Sequence, residues 1–178
     1  MELDINSFTQ VNFEDDGYIK FTYSGGLQHT FVDAPSAVDV LDGTQGVDTL
    51  DGRAATDQTF QLKAGNDDFD GNTGIDTVYG GLGDDALDGG AGNDKLYGGL
   101  GDDTINGGDD HDLIHGNEGD DILNGNDGQD TIYGHEGDDT ITGGDELDTI
   151  WGGAGDDTIT DGGTTQDVIR AEEGDDYV

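Results

Sequence analysis

Aspartate recurs in a single register along most of the chain, and this spacing constrains the fold more than any other feature. From residue 39 onward, sixteen aspartates lie nine residues apart, except for two steps of ten after Asp57 and Asp157. Two residues after each of them comes an apolar side chain, with Thr59 as the exception, and we expect Phe60 to substitute there. A flexible linker has no reason to keep an apolar residue in fifteen of sixteen equivalent positions, whereas a repeating buried position requires one. The apolar positions are Leu41, Leu50, Phe69, Val78, Leu87, Leu96, Ile105, Ile114, Leu123, Ile132, Ile141, Ile150, Ile159, Ile169 and Val178.

Glycine completes the repeating unit. It lies five residues before the aspartate in most units and two residues before it in most, so the unit reads GGxGxDxUx with U apolar. Residues 80–88 (GGLGDDALD) and 89–97 (GGAGNDKLY) are consecutive examples. Glycine permits the positive φ and the close backbone approach that a tight turn needs, and β-branched residues at U suit stacked strands. Each unit is therefore predicted to be a glycine-rich turn followed by a short strand.

The charge of the chain demands cations. Its 178 residues include 43 acidic and 5 basic side chains, for a formal net charge of -38. A chain with so much charge and so few apolar residues is disordered by default, because burial cannot offset the entropy of ordering. The same acidity excludes nucleic acid and disfavours anionic membrane surfaces, since both require a basic patch. With no cysteine in the chain, disulfides and thiolate metal sites are excluded as well.

Residues 34–178 resemble the RTX family of calcium-binding nonapeptide repeats, a specific match because the unit recurs so often. The resemblance implies an all-β fold, a right-handed parallel β-roll (β-solenoid) with two nonapeptides per coil. The glycine-rich hexapeptide forms a turn, the xUx triplet forms a strand, and the U side chain points inward. Sixteen units make about eight coils, or a rod on the order of 40 Å long. Calcium must supply much of the folding free energy of so thin a core.

Alternate units stack on the same side of such a roll, so the aspartates divide into two ladders with an 18-residue period. The first ladder is Asp48, Asp67, Asp85, Asp103, Asp121, Asp139, Asp157 and Asp176. The second ladder is Asp39, Asp57, Asp76, Asp94, Asp112, Asp130, Asp148 and Asp167.

The resemblance places each Ca²⁺ between two turns that are 18 residues apart. Both aspartates bind it, together with carbonyl oxygens from turn positions 2 and 4 below and positions 1 and 3 above. One such site comprises Gly81, Gly83 and Asp85 with Gly98, Leu100 and Asp103; the next comprises Gly99, Gly101 and Asp103 with Gly116, Glu118 and Asp121. Besides the first ladder, the metal residues expected in this way are Gly80, Gly81, Gly83, Gly98, Gly99, Gly101, Gly116, Gly119, Gly134, Gly137, Gly152, Gly155, Asp76, Asp94, Asp112, Asp130 and Asp148.

The two ladders differ in their second glycine, at turn position 4. Every turn of the first ladder keeps it, whereas APSAVD, GRAATD, GGDDHD, GGDELD and GGTTQD of the second ladder lack it. We therefore predict stronger calcium occupancy on the first ladder, with up to seven ions there.

An aromatic column is predicted on one face of the roll. Five rings follow the second-ladder strands at intervals of 18 residues, and we expect them to be exposed and to form an interaction surface. A polysaccharide, a second copy of the chain or the N-terminal segment could bind there, or the rings could simply stabilise neighbouring strands by stacking. The opposite face is hydrophilic, and two adjacent TxT pairs raise ice binding as a lesser alternative. The column is Tyr79, Tyr97, His115, Tyr133 and Trp151.

Residues 1–33 lie outside the repeat and form a first domain. FTQVNF (8–13), YIKFTY (18–23) and LQHTFV (27–32) read as strands of a hairpin or meander separated by EDDG and SGG turns. We expect this segment to cap the first coil of the second domain, residues 34–178, or to serve in assembly. Because no cap is visible after AEEGDDYV, head-to-tail polymerisation through the rod ends is a further hypothesis.

No catalytic constellation is visible. The chain contains no HExxH, GxSxG or P-loop lysine, and the acidic pairs recur in every coil, so we expect a protein that is not an enzyme. No signal peptide or membrane span is apparent in the first twenty residues. The resemblance suggests type I secretion and a structural or adhesive role outside the cell. The alternative is the calcium-binding module, for folding, secretion or carbohydrate binding, of a larger secreted RTX enzyme or adhesin.

Overall fold

The computed structural model describes residues 8–14, 18–23, 28–32, 40–43, 45–52, 57–163 and 166–178. All regular structure in these ranges is β, with no helix, and so nothing in them could cross a membrane as a helix. Asp39, most of the EDDG and SGG turns and the expected domain boundary at residues 33–34 lie outside the described residues.

Eighteen strands form two sheets, one of ten strands and one of eight. The N-terminal strands are β1 (Phe8–Glu14), β2 (Tyr18–Tyr23) and β3 (Gln28–Val32). The roll strands are β4 (Val40–Asp42), β5 (Thr49–Asp51), β6 (Thr59–Ala64), β7 (Asp68–Asp70), β8 (Thr77–Leu82), β9 (Ala86–Ala91), β10 (Lys95–Leu100), β11 (Thr104–Asp109), β12 (Leu113–Glu118), β13 (Ile122–Asp127), β14 (Thr131–Glu136), β15 (Thr140–Asp145), β16 (Thr149–Ala154), β17 (Thr158–Gly162) and β18 (Val168–Glu173).

Each roll strand pairs in parallel with the strand two places along the chain, which confirms the predicted β-solenoid. Leu96 of β10 lies between Val78 of β8 and Ile114 of β12, a register of 18 residues on each side. Strands β5 to β17 with odd numbers stack in the larger sheet, and β4 to β18 with even numbers form the other. The sequence thus winds about seven turns rather than the expected eight. The last unit adds only an isolated bridge between Thr158 and Tyr177.

Most roll strands are longer than the predicted triplet. In β10 the pairing continues beyond Lys95, Leu96 and Tyr97 to Gly99 and Leu100, which pair with Gly81 and Leu82. The first three turn residues after the triplet therefore remain part of the strand, so only three residues per unit form the corner.

The core is a file of single apolar side chains from the two sheets. Val78, Leu96, Ile114, Ile132 and Ile150 are fully buried at the U position of one sheet. Each such side chain contributes about 1.5–3 kcal/mol on burial. Phe60 is fully buried, as predicted for the shifted turn. Val178, expected at a U position, is not a core residue, since it is 67 % exposed.

The N-terminal strands continue the larger sheet. β1 pairs in parallel with β5, and β2 and β3 follow in an antiparallel meander. The predicted meander is confirmed, and its strands begin and end within one residue of the expected bounds.

Candidate metal centre

The ladder aspartates are linked through the backbone. In each case Oδ1 accepts a hydrogen bond from the N–H of the ladder residue one coil earlier, as from Asp85 to Asp103 and from Asp94 to Asp112, both at 2.8 Å. Along the first ladder these bonds join Asp48, Asp67, Asp85, Asp103, Asp121, Asp139, Asp157 and Asp176 in order. Along the second they join Gln58, Asp76, Asp94, Asp112, Asp130, Asp148 and Asp167.

Gln58, and not Asp57, occupies the second ladder at the shifted turn. The N–H of Gln58 donates to Asp76 Oδ1 at 2.8 Å, as a ladder aspartate would. Asp57 is exposed, and its Oδ1 accepts from Ile75 instead. The assignment of Asp57 to the ladder was wrong. It placed the ten-residue step between Asp57 and Asp67, whereas the pairing of Phe60 with Val78 puts the extra residue ahead of Asp57.

The other carboxylate oxygen, Oδ2, is buried and has no protein donor in twelve ladder aspartates. A buried carboxylate oxygen without a hydrogen bond costs free energy, and native proteins contain few of them. Because the same atom is affected in coil after coil, the cause is a shared feature of the turns. The twelve are Asp67, Asp76, Asp85, Asp94, Asp103, Asp112, Asp121, Asp130, Asp139, Asp148, Asp157 and Asp167.

Backbone oxygens surround these carboxylates. A Cβ atom placed on Gly98 would collide with Asp103 Oδ2 and lie 2.8 Å from the carbonyl oxygen of Gly116. Only glycine fits at this position, because the Asp103 carboxylate of the same turn and the Gly116 carbonyl of the next coil both lie against Gly98. The same two kinds of oxygen meet at Gly80, Gly107, Gly116, Gly125, Gly134 and Gly152.

Two further carbonyls face the adjoining turn. Those of Gly81 and Gly83 point at Gly99 and Gly101 of the next coil. The carbonyl of Leu100 accepts the N–H of Gly83 at 2.8 Å. Carboxylate and carbonyl oxygens in such number are the ligands that Ca²⁺ prefers, and it tolerates irregular geometry. These turns therefore fit a hard cation that would neutralise the unpartnered oxygens.

Burial of the ladder carboxylates also changes their acidity. Loss of solvent, together with the charges of neighbouring aspartates, raises the pKa of Asp103 to about 7 and that of Asp112 to about 8. The backbone N–H bond to each Oδ1 opposes the shift but does not cancel it. Carboxylates that resist ionisation at neutral pH are ready to exchange a proton for a metal ion.

Comparison with known protein families agrees with this chemistry. The family model of the RTX calcium-binding nonapeptide repeat, which spans four copies, matches residues 36–60, 63–96, 97–132, 115–150, 133–160 and 161–178. This chain belongs to the RTX family. Its nonapeptide repeats bind several Ca²⁺ ions. A comparison with curated proteins finds no match.

In the described part of this RTX roll, side chains alone do not make a metal site. Within the described residues, no three His, Asp or Glu side chains form a group that could hold an ion by themselves. Any cation site in these turns would depend on the backbone as well, because ladder carboxylates and carbonyl oxygens converge there. Such a site would form only when the coils are stacked.

The two ladders are more alike than their glycines suggest. At turn position 4 of the second ladder, Asp110 and Glu146 adopt positive φ values of 79° and 76°, so the turn keeps its path without glycine. Position 2 shows the same substitution, mostly in the first ladder. The prediction of a difference between the ladders considered only turn position 4, although residues other than glycine also occur at position 2 in the sequence. The residues with positive φ at position 2 are Lys63, Asn72, Asn117, Asn126, His135 and Glu172.

A second, exposed chain of carboxylates runs beside the first ladder. Asp84 Oδ1 accepts the N–H of Asp102 at 3.2 Å, and Asp102 Oδ1 accepts that of Asp120 at 3.0 Å. These bonds point to the following coil, opposite to those of the ladder aspartates. The adjacent aspartate of each GDD turn therefore caps the backbone of its neighbour and is not only surface charge.

The five aromatic residues lie in one column. Successive ring centroids are 4.4–5.0 Å apart and the ring planes are within 6–11° of parallel, from Tyr79 through Tyr97, His115 and Tyr133 to Trp151. Arg170 lies over the outer face of Trp151, 5.4 Å from its centroid. The inner rings are half-buried and cover one another's faces, so only their edges meet solvent.

His135 joins the column from turn position 2. Its ring stacks near His115 and Tyr133, and its Nε2 lies 2.8 Å from His115 Nδ1. Burial and the neighbouring His135 lower the pKa of His115, which favours the neutral ring in the stack. This contact was not predicted because His135 lies 20 residues from His115, outside the 18-residue period.

Proposed function

We propose that this chain is an extracellular, calcium-folded RTX roll with a structural or adhesive role. The observation that carries the proposal is the set of twelve buried carboxylate oxygens without a protein donor. Without cations, these groups and the net charge of -38 oppose stacking of the coils. With calcium between the turns, the same groups hold consecutive coils together. The ladder aspartates and the carbonyls of positions such as Gly81, Gly83 and Gly98 are the proposed ligands.

Calcium concentration would control where the roll folds. Extracellular calcium modules bind with dissociation constants on the order of 10⁻⁴–10⁻³ M, well above cytosolic calcium. The chain is then expanded during synthesis and folds after export, for which we propose type I secretion. RTX repeats are typical of secreted proteins, which supports this location.

The role proposed for the roll is not catalytic. Within the described ranges, acidic side chains recur in the same place in coil after coil, so none is set apart as an acid or a base. The alternative is that the roll serves a larger secreted enzyme or adhesin as its calcium module.

The aromatic column supports contact with a partner through ring edges rather than ring faces. Sugar-binding platforms stack a sugar on an open aromatic face, whereas here each inner face is covered by the next ring. Lateral packing of a second copy therefore fits the column better than a polysaccharide does. Tyr79, at 42 % exposure, ends the column on the side of Gln61 and Lys63.

A direct test is circular dichroism and small-angle X-ray scattering of the full chain in chelator and in millimolar calcium. We expect an expanded chain in chelator and a compact β-rich rod in calcium, with magnesium much less effective because it demands octahedral geometry. The same β signal and the same radius of gyration in both conditions would contradict the proposal.

A further inference from the structure

The last second-ladder turn contains a carboxylate that the repeat does not provide. In the other described turns of this ladder the first position is glycine, as at Gly107, Gly125 and Gly143. In β17 the residue after the triplet Thr158–Thr160 is Asp161, which takes the first turn position, and Gly162 pairs with Gly144 as the second turn residue. Asp161 thus projects its side chain where a glycine normally leaves space.

Asp161 lies against the ladder carboxylates of two coils. Its carboxyl group lies beside that of Asp167 and faces Asp148. Its carbonyl oxygen lies 3.0 Å from the point where a Cβ of Gly143 would be, beside Asp148 Oδ2 at 2.5 Å and Asp167 Oδ2 at 3.1 Å. Oxygens from three aspartates therefore converge on one gap between turns.

The oxygens in this gap lack donors. Asp148 is fully buried and its Oδ2 has no hydrogen-bond partner, and the same is true of Asp167 Oδ2 and Asp161 Oδ1. Buried carboxylate oxygens without a donor cost free energy unless a cation lies with them. The three side chains do not enclose an ion by themselves, so the carbonyl of Asp161 and other turn carbonyls must complete the shell, as elsewhere in the roll.

We propose that Asp161 is an additional ligand for a hard cation bound between Asp148 and Asp167, which gives this site three carboxylates where the other described turns offer two. The inference rests on the proposed calcium binding by the ladders and extends it to a residue outside the repeat pattern. Affinity for calcium rises with the number of charged ligands. The last turn of the second ladder is then its tightest site, although its glycine pattern is among the most altered.

The test compares Asp161→Asn and Asp161→Gly with Asp145→Asn in the full chain. Asp161→Asn removes only the charge, Asp161→Gly restores the residue of the other turns, and Asp145 is an exposed acidic residue of the preceding second-ladder turn. We expect calcium titration to show one ion bound about tenfold more weakly in both Asp161 variants and an unchanged isotherm in Asp145→Asn. Hydrogen exchange of β16 and β18 should become faster in the Asp161 variants at limiting calcium.

The outcomes separate this inference from the proposed function. If the wild-type chain binds calcium and both Asp161 variants match Asp145→Asn, the additional ligand is disproved while the calcium-folded roll stands. If the wild-type chain binds no calcium, both proposals fail. A terbium titration adds a check, since loss of a carboxylate should weaken a trivalent ion more than a divalent one.

Discussion

Each ladder aspartate serves two neighbours with its two oxygens. In Asp103, Oδ1 accepts the N–H of Asp85 and fixes the spacing of the coils, while Oδ2 remains for a cation. An asparagine in this position could keep the first contact but would replace the second oxygen with an amide donor. Under the proposed function, the ladder joins a structural role and a binding role in one side chain, which fits the recurrence of aspartate without exception from Asp67 to Asp176.

The comparison of Asp103→Ala with Asp112→Ala tests the predicted difference between the ladders. We expect the first-ladder variant to lose one or two ions, because Asp103 faces the turns above and below it, and the second-ladder variant to lose fewer. Isothermal titration measures the stoichiometry, and Asp109→Ala is the control for loss of an exposed charge in a neighbouring turn. If both variants lost the same number of calcium ions, the predicted difference in occupancy between the ladders would be refuted. That result would agree with the backbone path that the two ladders share.

The raised pKa values predict how pH acts on the roll. Asp85, Asp103 and Asp112 have folded pKa values of about 6, 7 and 8, against 3.8 in the unfolded chain. In the absence of calcium, their contribution to stability is therefore fully present below pH 3.8 and is lost as the pH rises through 6 to 8. Calcium affinity should fall over the same range as the pH is lowered, because protons compete for the same oxygens.

Circular dichroism between pH 4 and pH 8 in chelator measures this effect. We expect more β signal at the acidic end, and little change in saturating calcium until protons displace the ions. A calcium-free chain whose β content increases with pH would contradict the assignment of the buried carboxylates.

The turns repeat one backbone path, and substitution of glycine in that path has a cost. Asp110 and Glu146 hold positive φ values that residues with a Cβ adopt reluctantly. Both lie in the second ladder at the position where other turns have glycine, as at Gly92 and Gly128. These turns therefore keep the geometry for binding at some expense of stability.

Asp110→Gly should stabilise the calcium-bound roll by about 0.5–1 kcal/mol, because glycine adopts this φ without strain. Asp109→Gly is the matched control: it removes the same charge one residue earlier, at the end of β11, where glycine should be neutral or destabilising. Urea unfolding in saturating calcium measures both. Destabilisation by Asp110→Gly would show that the side chain contributes more than the strain costs.

The aromatic column acts across strands of one sheet. Tyr133 stacks on His115 on one side and on Trp151 on the other, so it links three coils. Its hydroxyl group has no part in that stacking, and the ring contributes through its faces.

Tyr133→Ala should reduce the free energy of unfolding by about 1–3 kcal/mol, since stacked pairs contribute about 0.5–1.5 kcal/mol each. Tyr133→Phe keeps the stack and should leave stability nearly unchanged. If Tyr133→Phe instead prevented self-association of a stable protein, a partner contact through the ring edge would be indicated.

The whole roll ends in strands that have a neighbour on one side only. In the described residues, β18 is the last strand of the smaller sheet and β3 is the outermost N-terminal strand of the larger one. Arg170, Glu172 and Glu173 place charges on β18, which opposes uncontrolled edge pairing. Calcium could overcome this repulsion where the ladders of two copies meet end to end.

Electron microscopy with and without calcium tests end-to-end assembly. The hypothesis of head-to-tail polymerisation predicts that fibres form only in calcium and have the diameter of one roll. Charge reversal in β18, such as Arg170→Glu, should then reduce the length of the fibres. Monomers under all conditions would exclude assembly through the ends and leave the roll as a module of a larger protein.

The repeat predicts most of the architecture. The spacing of Asp and U indicates a repeating buried position, and the resemblance to the RTX repeats that it carries implies the parallel stacking, the core file and the two ladders. The meander of residues 8–32 was predictable for a similar reason, because its alternating strands are local. The need for cations followed from the charge alone.

Contacts between coils determine the features of the fold and of the candidate site that the repeat does not predict. Gln58 replaces Asp57 in the ladder because pairing across 18 residues places the inserted residue, and the spacing within the chain cannot locate it. The same holds for Asp161, which reaches Asp148 and Asp167 only when the coils are stacked. The pairing of β1 with β5, the covered ring faces and the exposed Val178 also depend on which neighbour is present. A periodic sequence specifies equivalent positions, whereas each departure from the period takes its place from the packing of the adjacent coils.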